Sequence, residues 1–552
     1  MPNPPVRITF LGGLGEIGRN CAAFEIDGRI MLLDCGLMFP ESDMPGIDLV
    51  LPDFTWLHEN ADRIEGCIIT HGHEDHAGAL SFALRDLSFP LYGSELSLRF
   101  ARSRIEEAGL LNKTKFITVH DGERRKIGPF DCEFLPVTHS VPHGFATAFH
   151  TPQGVILHSG DWKLDLTPID GRHTDLARIG AIEVDSGIRL LLGDSTNAEE
   201  EGHSLSEKVV GTSLAGIFAA HRDRRIVIAC FASHIHRIQQ IIEIAMDQGR
   251  VIATLGLSMK KNIKIARDLG LLKIPDSAVI DIADADGISP DKLCVISTGS
   301  QGEPMSALTR MAANDNKWIR IGPDDTVILS SHPIPGNETS VGKVIDGLHR
   351  LGARVVHSGI ARVHATGHAK KEEIKTLLAL ARPEFMVPVH GEYRHMIHHA
   401  ELAMEMGVLP ENVLVCADGD QIELTDAGMA KVGEVPAGYL YVDGSGIGDV
   451  GHGVLRDRRV LAEEGVVVVI VTVDRKTGEI IAGPEIITRG WVYEEEAADL
   501  LDDAREAVRR GILAAEDTDF ETIKRHARKA LGEFVSKRTK RRPMIVPVVM
   551  EA

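Results

Sequence analysis

Over the first 200 residues, short apolar runs alternate with polar and glycine-rich turns, the pattern of strands rather than long helices. Val6–Phe10, Ala22–Ile26 and Ile30–Asp34 read as strands, with a turn containing Gly12, Gly13, Gly15 and Gly18 between the first two. That glycine run does not make a dinucleotide loop, because a strand follows it where an amphipathic helix is required. From about Ser206 to Val363 the pattern becomes regular strand–helix alternation. Glu207–Ala220 and Ile235–Gln248 have helical spacing, while Ile226–Cys230, Val251–Ala253, Leu293–Ser297 and Thr326–Ser330 read as buried strands. Such alternation predicts a parallel sheet covered by helices. Strand–helix units resume with Glu372–Ala381, Phe385–Val389 and Arg394–Met406, and the glycine-dense stretch Val442–Gly453 reads as a linker. Strands near Val466–Val473 and Ile486–Thr488, helices Glu494–Ile512 and Phe520–Lys537, and a last strand, Met544–Met550, complete the chain. No internal repeat is visible.

A length of 552 residues calls for two or three domains. Apolar residues at 43% and charged residues at 25% match ordinary globular chains. The most apolar run, Gly465–Val473, is far shorter than the ~20 residues of a membrane span and reads as a buried strand. The N-terminus lacks the charged start and apolar stretch of a secretion signal. The seven cysteines are scattered and never spaced CxxC, which suits reduced core thiols. Cys35 and Cys67 adjoin the motifs below and are also read as packing residues. A cytoplasmic protein that does not engage membranes is expected. The net charge of −20 predicts weak non-specific binding to duplex DNA but does not exclude a local basic groove. Lys537, Arg538, Lys540, Arg541 and Arg542 form one basic run, which a solvated helix end explains equally well.

The strongest chemical signal is His71-Gly-His73-Glu-Asp75-His76, directly after the apolar run Cys67–Thr70. Four imidazole or carboxylate ligands within six positions, on a loop leaving a strand, can feed two neighbouring cations. The absence of cysteine ligands disfavours a closed structural zinc site. Further ligands must come from other strand ends. His139 follows Phe134–Thr138, Asp161 follows Val155–Ser159, and His390 follows Phe385–Val389, at the edge where α/β folds place their chemistry.

This set resembles the metallo-β-lactamase superfamily. The resemblance implies that His71, His73 and His139 hold one metal, that Asp75, His76 and His390 hold the other, and that Asp161 bridges them. Asp34, at the end of its strand, matches the family's buried aspartate that orients the metal loop. Because 229 positions separate Asp161 from His390, a domain inserted between them is the simplest way to bring both to one site. An inserted α/β domain marks the β-CASP branch, whose members cut nucleic acids. Asp194 in Leu-Leu-Gly-Asp-Ser-Thr-Asn and His368 in His-Ala-Thr-Gly-His are similar to its acidic and histidine motifs. Phe231-Ala-Ser-His-Ile-His-Arg, Ser297-Thr-Gly-Ser-Gln-Gly-Glu, the opening Gly-Gly-Leu-Gly-Glu-Ile-Gly and the late Val-Asp-Gly-Ser-Gly-Ile-Gly-Asp-Val-Gly resemble ribonuclease J enzymes. His143 stands where that family usually has an aspartate, which puts the hydrogen bonding around His139 in question; His143 and His150 are left out of the ligand set.

The fold class implied is α/β. A four-layer αββα metallo-β-lactamase domain (1–205, with a return segment 364–440) would carry an inserted α/β β-CASP domain (206–363). A linker (441–461) and a small α+β C-terminal oligomerisation domain (462–552) would follow. The activity implied is RNA phosphodiester hydrolysis with two zinc ions, for which manganese or magnesium could substitute. It would combine 5′-to-3′ exonuclease and endonuclease action in rRNA processing, RNA maturation and mRNA decay. Asp75, Asp161, Asp194 and His368 are the expected catalytic residues: a hydroxide beside Asp161 attacks, and His368, oriented by Asp194, stabilises the phosphorane or protonates the leaving 3′ oxygen. Ser233, His234, His236 and Arg237 at a strand-to-helix turn, with His364, Thr366 and His368, would seat the 5′-phosphate. Expected partners are single-stranded RNA, a second copy in a homodimer or homotetramer, and other RNA-decay proteins. A thioesterase or lactonase on the same fold would leave Asp194, His368 and the insertion idle. A catalytically silent scaffold would show eroded ligands, and here the set is complete.

Overall fold

A computed structural model describes residues 3–41, 43–303, 305–334, 336–474, 477, 479–493, 497–515 and 519–552. The chain divides into two compact units, Met1–Phe39 with Val50–Leu440, and Pro40–Leu49 with Tyr441–Ala552.

The first unit begins as two facing sheets. One has eight strands, among them the neighbours Val6–Gly12, Cys21–Ile26, Arg29–Leu33 and Ile64–Ile68. The other has six, in the order Phe385–Val389, Ile188–Asp194, Gly154–His158, Gly144–Thr151, Phe130–Val137 and Arg124–Ile127. Alternate residues of both sheets meet in one core, where Phe10, Phe24 and Leu33 pack with Phe134, Phe149, Ile156 and Leu192, and the Phe24 and Phe149 rings stack with centroids 4.3 Å apart. The opposite side chains of the second sheet, including Leu157, Leu191 and Met386, are covered by helices Leu176–Ser186, Lys371–Ala381 and Tyr393–Glu405. Helix Glu95–Glu107 packs on the strands Leu91–Gly93 and Phe116–Thr118 of the first sheet. The result is the four-layer αββα arrangement expected from the sequence.

Strand Ile188–Asp194 pairs in parallel with Phe385–Val389, in a register that puts Asp194 opposite Val389. Everything between these neighbours is an excursion, and it forms a second α/β layer system. Its six parallel strands run in the order Val279–Ile280, Val251–Leu255, Leu293–Ser297, Arg225–Ala229, Asp325–Leu329 and Arg354–Val356. Ile226, Ile228, Cys294 and Ile296 face helices Glu207–Ala220 and Ile235–Asp247, whereas Val227, Ala229 and Val295 face Ala307–Ala312 and Glu338–Arg350. Burial on both faces is why these strands read as continuous apolar runs.

The second unit contains a three-stranded sheet of Ile480–Arg489, Val466–Val473 and Met544–Glu551. Val467, Val469, Val471 and Val473 pack under helices Ala498–Leu513 and Phe520–Thr539, giving an α+β layer. The expected helix Glu494–Ile512 begins on residues 494–496, which lie outside the described residues. Within the stretch expected as a linker, His452–Glu464 is a helix. Leu455 is its one buried residue, so its apolar periodicity is too weak to register against the flanking glycines. No described helix is long and apolar enough to cross a membrane.

Candidate active site

The metal-ligand candidates all lie just past strand ends in the first unit. Beyond Ile64–Ile68 the chain passes Thr70 into the His71–His76 loop, which closes on the short helix Glu74–Ala77. Asp34, just past Arg29–Leu33, adopts the left-handed conformation with φ +60°, a cost that such a residue bears only where its surroundings fix it. Its buried carboxylate accepts the Thr70 N–H at 2.7 Å, the Thr70 hydroxyl at 2.8 Å and His76 Nδ1–H at 2.8 Å. His76 is therefore held with Nε2 facing Asp161 Oδ2 at 3.2 Å. His139 follows Phe130–Val137 and donates Nδ1–H to the Gly367 carbonyl at 2.7 Å, which turns its Nε2 toward the same carboxylate, at 3.8 Å. His390, also left-handed at φ +53°, has Nδ1 2.8 Å from the Thr196 hydroxyl and Nε2 3.4 Å from Asp161 Oδ2.

One oxygen of Asp161 thus faces the Nε2 atoms of His71 (3.6 Å), His76, His139 and His390, with that of His368 at 4.0 Å. His73 joins through Nδ1, 2.9 Å from His71 Nε2 and 3.2 Å from His139 Nε2. Among the described residues three groups of facing donor atoms result, each within 4.8 Å: His71, His73, His139 and Asp161; Asp75, His76, Asp161 and His390; and Asp161, Asp194, His368 and His390. Lone pairs gathered this closely, each imidazole turned by a hydrogen bond on its other nitrogen in the cases of His76, His139 and His390, are what a divalent cation requires. The electrostatics agree. Burial drives His71, His73 and His139 toward the neutral, ligating form, His73 down to about 4. Burial also penalises charge on Asp75 and Asp161, but His76 and His390 outweigh it and hold both carboxyls well below the usual range. In turn, Asp161 and Asp75 overcome burial to raise His76 and His390, the latter to about 9. With protein charges alone, the anionic pair keeps protons on its nearest imidazoles where a cation would neutralise it.

Asp194 ends the strand Ile188–Asp194 and accepts from His368 Nδ1 at 2.8 Å. His368 is the more open of the pair, and its Nε2 points to the Asp161 side. The register that places Asp194 beside Val389 sets the Asp194–His368 pair next to His390.

The expected phosphate seat is only partly assembled. Thr366 lies beside His368, its hydroxyl oxygen accepting from Asn197 Nδ2 and from the His368 N–H. Ser233 and His236 remain partly accessible, with His236 Nε2 3.3 Å from Asp170 Oδ2. His364 has a buried Nδ1 without a hydrogen-bond partner and is lowered to about 3, chiefly by burial. Arg237 and His234 are corrections. Arg237 is fully buried and spends its donors on Glu207 Oε1 and Oε2, Ser330 and the Val363 carbonyl. His234 is also buried, with Nε2 against Glu207 Oε1 at 3.0 Å. An ionised carboxylate already occupies the basic groups, so they tie the two ends of the excursion together instead of facing solvent. His143 is left-handed and half-buried, and His150 pairs with Glu133 at 2.8 Å, away from the ligand groups. All seven cysteines are buried and unpaired.

Comparison with known proteins identifies the family. Four family profiles match in succession: "Metallo-beta-lactamase superfamily" at residues 14–176, "Ribonuclease J, beta-CASP domain" at 223–348, "Zn-dependent metallo-hydrolase RNA specificity domain" at 352–416, and "Ribonuclease J C-terminal domain" at 453–552. Ribonuclease J of Mycolicibacterium smegmatis is 42% identical over all of this chain and 99% of that one. The chain belongs to the ribonuclease J family. Ribonuclease J 1 of Streptococcus pyogenes serotype M3 is 40% identical over 99% of this chain and 97% of its own length, and ribonuclease J2 of Bacillus subtilis 39% over 99% and 98%. A crystal structure of a protein of unknown function from Enterococcus faecalis V583 shares the fold, with TM-score 0.54 and 15% identity over 76% of this chain and all of that one.

In this ribonuclease J family chain, sequence reasoning passed over several groups that shape the site. Thr70 and Thr196 tie carboxylates to imidazoles. Asn20 binds the Asp75 carbonyl through both its backbone N–H and its side chain. Gly36 and Gly367 admit close approaches: an added Cβ would lie 1.6 Å from the Asp75 carbonyl oxygen at the first, and 2.5 Å from His139 Cε1 at the second. The local signals were present, since Gly36 lies two residues after Asp34 and Gly367 sits inside the His368 motif.

Proposed function

We propose that this protein degrades single-stranded RNA by two-metal phosphodiester hydrolysis, stepwise from the 5′ end and with endonucleolytic cuts, leaving 5′-phosphate ends. Family membership carries the coarser statement, a metal-dependent ribonuclease of the ribonuclease J type. The observation that supports the finer one is the Asp194–His368 pair standing beside the first two candidate ligand groups around Asp161.

His71, His73 and His139 would hold one ion and Asp75, His76 and His390 the other, with Asp161 shared. Two zinc ions there, or manganese or magnesium in their place, would supply the Lewis acidity that lowers the pKa of a water and neutralises phosphoryl oxygens. Asp161 orients the attacking water from the buried side. His368 presents its outer Nε2 to the departing 3′ oxygen or to the phosphorane, a role that needs a proton on that nitrogen. Burial opposes a charge on His368, but Asp194, with Asp161, outweighs it and raises the group, so the ring can hold both protons: Nδ1 donates to the Asp194 carboxylate, which only accepts, and Nε2–H is aimed outward. Asp34 accepts from His76 Nδ1 in the same way, but there the outer Nε2 would serve a metal through its lone pair.

Residues 206–363 would form the wall of an RNA channel, with 1–205 and 364–440 as the catalytic domain. Ser233, His236, His364 and Thr366, with His368, remain the donors for a seat that takes a 5′-monophosphate and excludes the bulkier triphosphate. Residues 462–552 would assemble homodimers or homotetramers. In support, Val546, Val548 and Met550 are exposed on the sheet face opposite the helices. We place the enzyme in the cytoplasm, acting in RNA maturation and decay beside other RNA-decay proteins. The test is a time course on matched single-stranded RNAs differing only at the 5′ end. Faster mononucleotide release from the monophosphate is expected; equal release from both would refute the seat.

A further inference from the structure

Asp194 does more than hold His368. Its Oδ2 accepts from His368 Nδ1 at 2.8 Å, while its Oδ1 accepts the Thr196 hydroxyl at 2.8 Å and the Thr196 N–H at 3.0 Å. A threonine hydroxyl has one hydrogen to give. With that hydrogen on Asp194, the Thr196 oxygen is an acceptor toward His390 Nδ1, also 2.8 Å away. His390 must then carry a hydrogen on Nδ1, so that Nε2, on the side of Asp75 and Asp161, is the nitrogen left for a cation to take. The backbone reinforces the arrangement: His390 is left-handed, and the Ser195 N–H donates to both the Val389 and His390 carbonyls, locking the turn against the Asp194 strand end.

We infer that Thr196 is a positioning residue that fixes the tautomer and direction of His390 for metal binding, so that Asp194 governs the second cation seat through Thr196 and the proton donor through His368. The inference rests on the two-metal reading above and goes beyond it. In each of the other anchored cases a different group sets the imidazole: Asp34 directly for His76, the Gly367 carbonyl for His139. Only the seat containing His390 shares its anchor with His368. Outer hydrogen-bond partners of ligating histidines are typically worth about 10–100-fold in metal affinity.

The experiment compares full-length parent, Thr196→Val and Thr196→Ser by zinc competition against a chromophoric chelator, with melting temperature measured on the same samples after metal removal. Valine keeps the shape and removes the hydroxyl; serine restores it. Two binding steps are expected in the parent. In Thr196→Val one step weakens about 10–100-fold while the other is unchanged, and Thr196→Ser returns to within about threefold of the parent. A second readout separates positioning from proton donation. RNA with a bridging 3′-sulfur at the scissile bond has a leaving group that needs no proton. At saturating zinc, Thr196→Val should show the parent's ratio of sulfur to oxygen rates, whereas Asp194→Asn should lose activity on oxygen far more than on sulfur. Two parent-like zinc steps in a folded Thr196→Val protein would overturn the inference, as would failure of Thr196→Ser to restore binding. A parent protein that binds no zinc and cleaves RNA would instead overturn the two-metal reading.

Discussion

Replacing Arg237 with methionine separates two roles that the sequence could not distinguish. The side chain is fully buried, and its guanidinium makes two bonds to Glu207, at 2.9 and 2.7 Å, two to Ser330 and one to the Val363 carbonyl. Glu207 opens the first helix of the excursion and Val363 closes its last segment, so one residue ties both crossings. Burial penalises the charge on Glu207, and Arg237 is the main group that offsets the penalty. In Arg237→Met the carboxylate keeps only His234 Nε2 and a marginal 3.5 Å contact from Gln240. Removing one partner of a buried pair costs about 3–5 kcal/mol. At about 2–4 °C per kcal/mol for a domain of 150–250 residues, the melting temperature should fall by roughly 6–20 °C. The assay is a thermal melt of the full chain followed by circular dichroism. Arg237→Met with Glu207→Leu should recover most of the loss, because no charge is left unpaired. A single variant that melts within about 2 °C of the parent, against the 3–5 kcal/mol expected of a broken buried pair, but no longer distinguishes 5′-monophosphorylated from 5′-triphosphorylated RNA would refute the reasoning. It would return Arg237 to the phosphate seat.

Two further outcomes follow from the same geometry. Asp34→Asn sets an amide N–H against the Thr70 and His76 donors, so zinc affinity should drop about 10–100-fold in chelator competition; parent-like affinity would show that Asp34 does not aim His76. Val468→Glu with Val548→Glu charges the open face of the C-terminal sheet and should lower the subunit number in light scattering while the melt is retained; unchanged assembly would place the interface elsewhere.

The ligand set could be read from the sequence because its chemistry is dense and local: His71 to His76 share one loop, and His139, Asp161 and His390 each follow an apolar run that is a strand. The excursion was readable because strands buried on both faces leave unbroken apolar runs, and because Asp161 and His390 had to meet across it. Burial of polar groups was not readable. Phe231-Ala-Ser-His-Ile-His-Arg has the composition of an anion seat, and only the approach of Glu207, 30 positions before Arg237, reveals that a carboxylate of the chain itself fills it. Thr196 was hidden for the same reason, since its partner His390 lies 194 positions away. The helix His452–Glu464 escaped because a helix with one buried residue carries almost no apolar period.

The central claim is that RNA is cleaved by metals held around Asp161. Its most direct test is metal content and single-turnover cleavage of a 5′-monophosphorylated single-stranded RNA, measured on the same samples of parent and Asp161→Ala. The parent should carry up to two zinc or manganese ions per chain and lose cleavage to a chelator. Asp161→Ala should lose both bound metal and several orders of magnitude in rate, with the fold retained. Undiminished RNA cleavage by Asp161→Ala, or by a parent protein shown to contain no metal, would contradict the account.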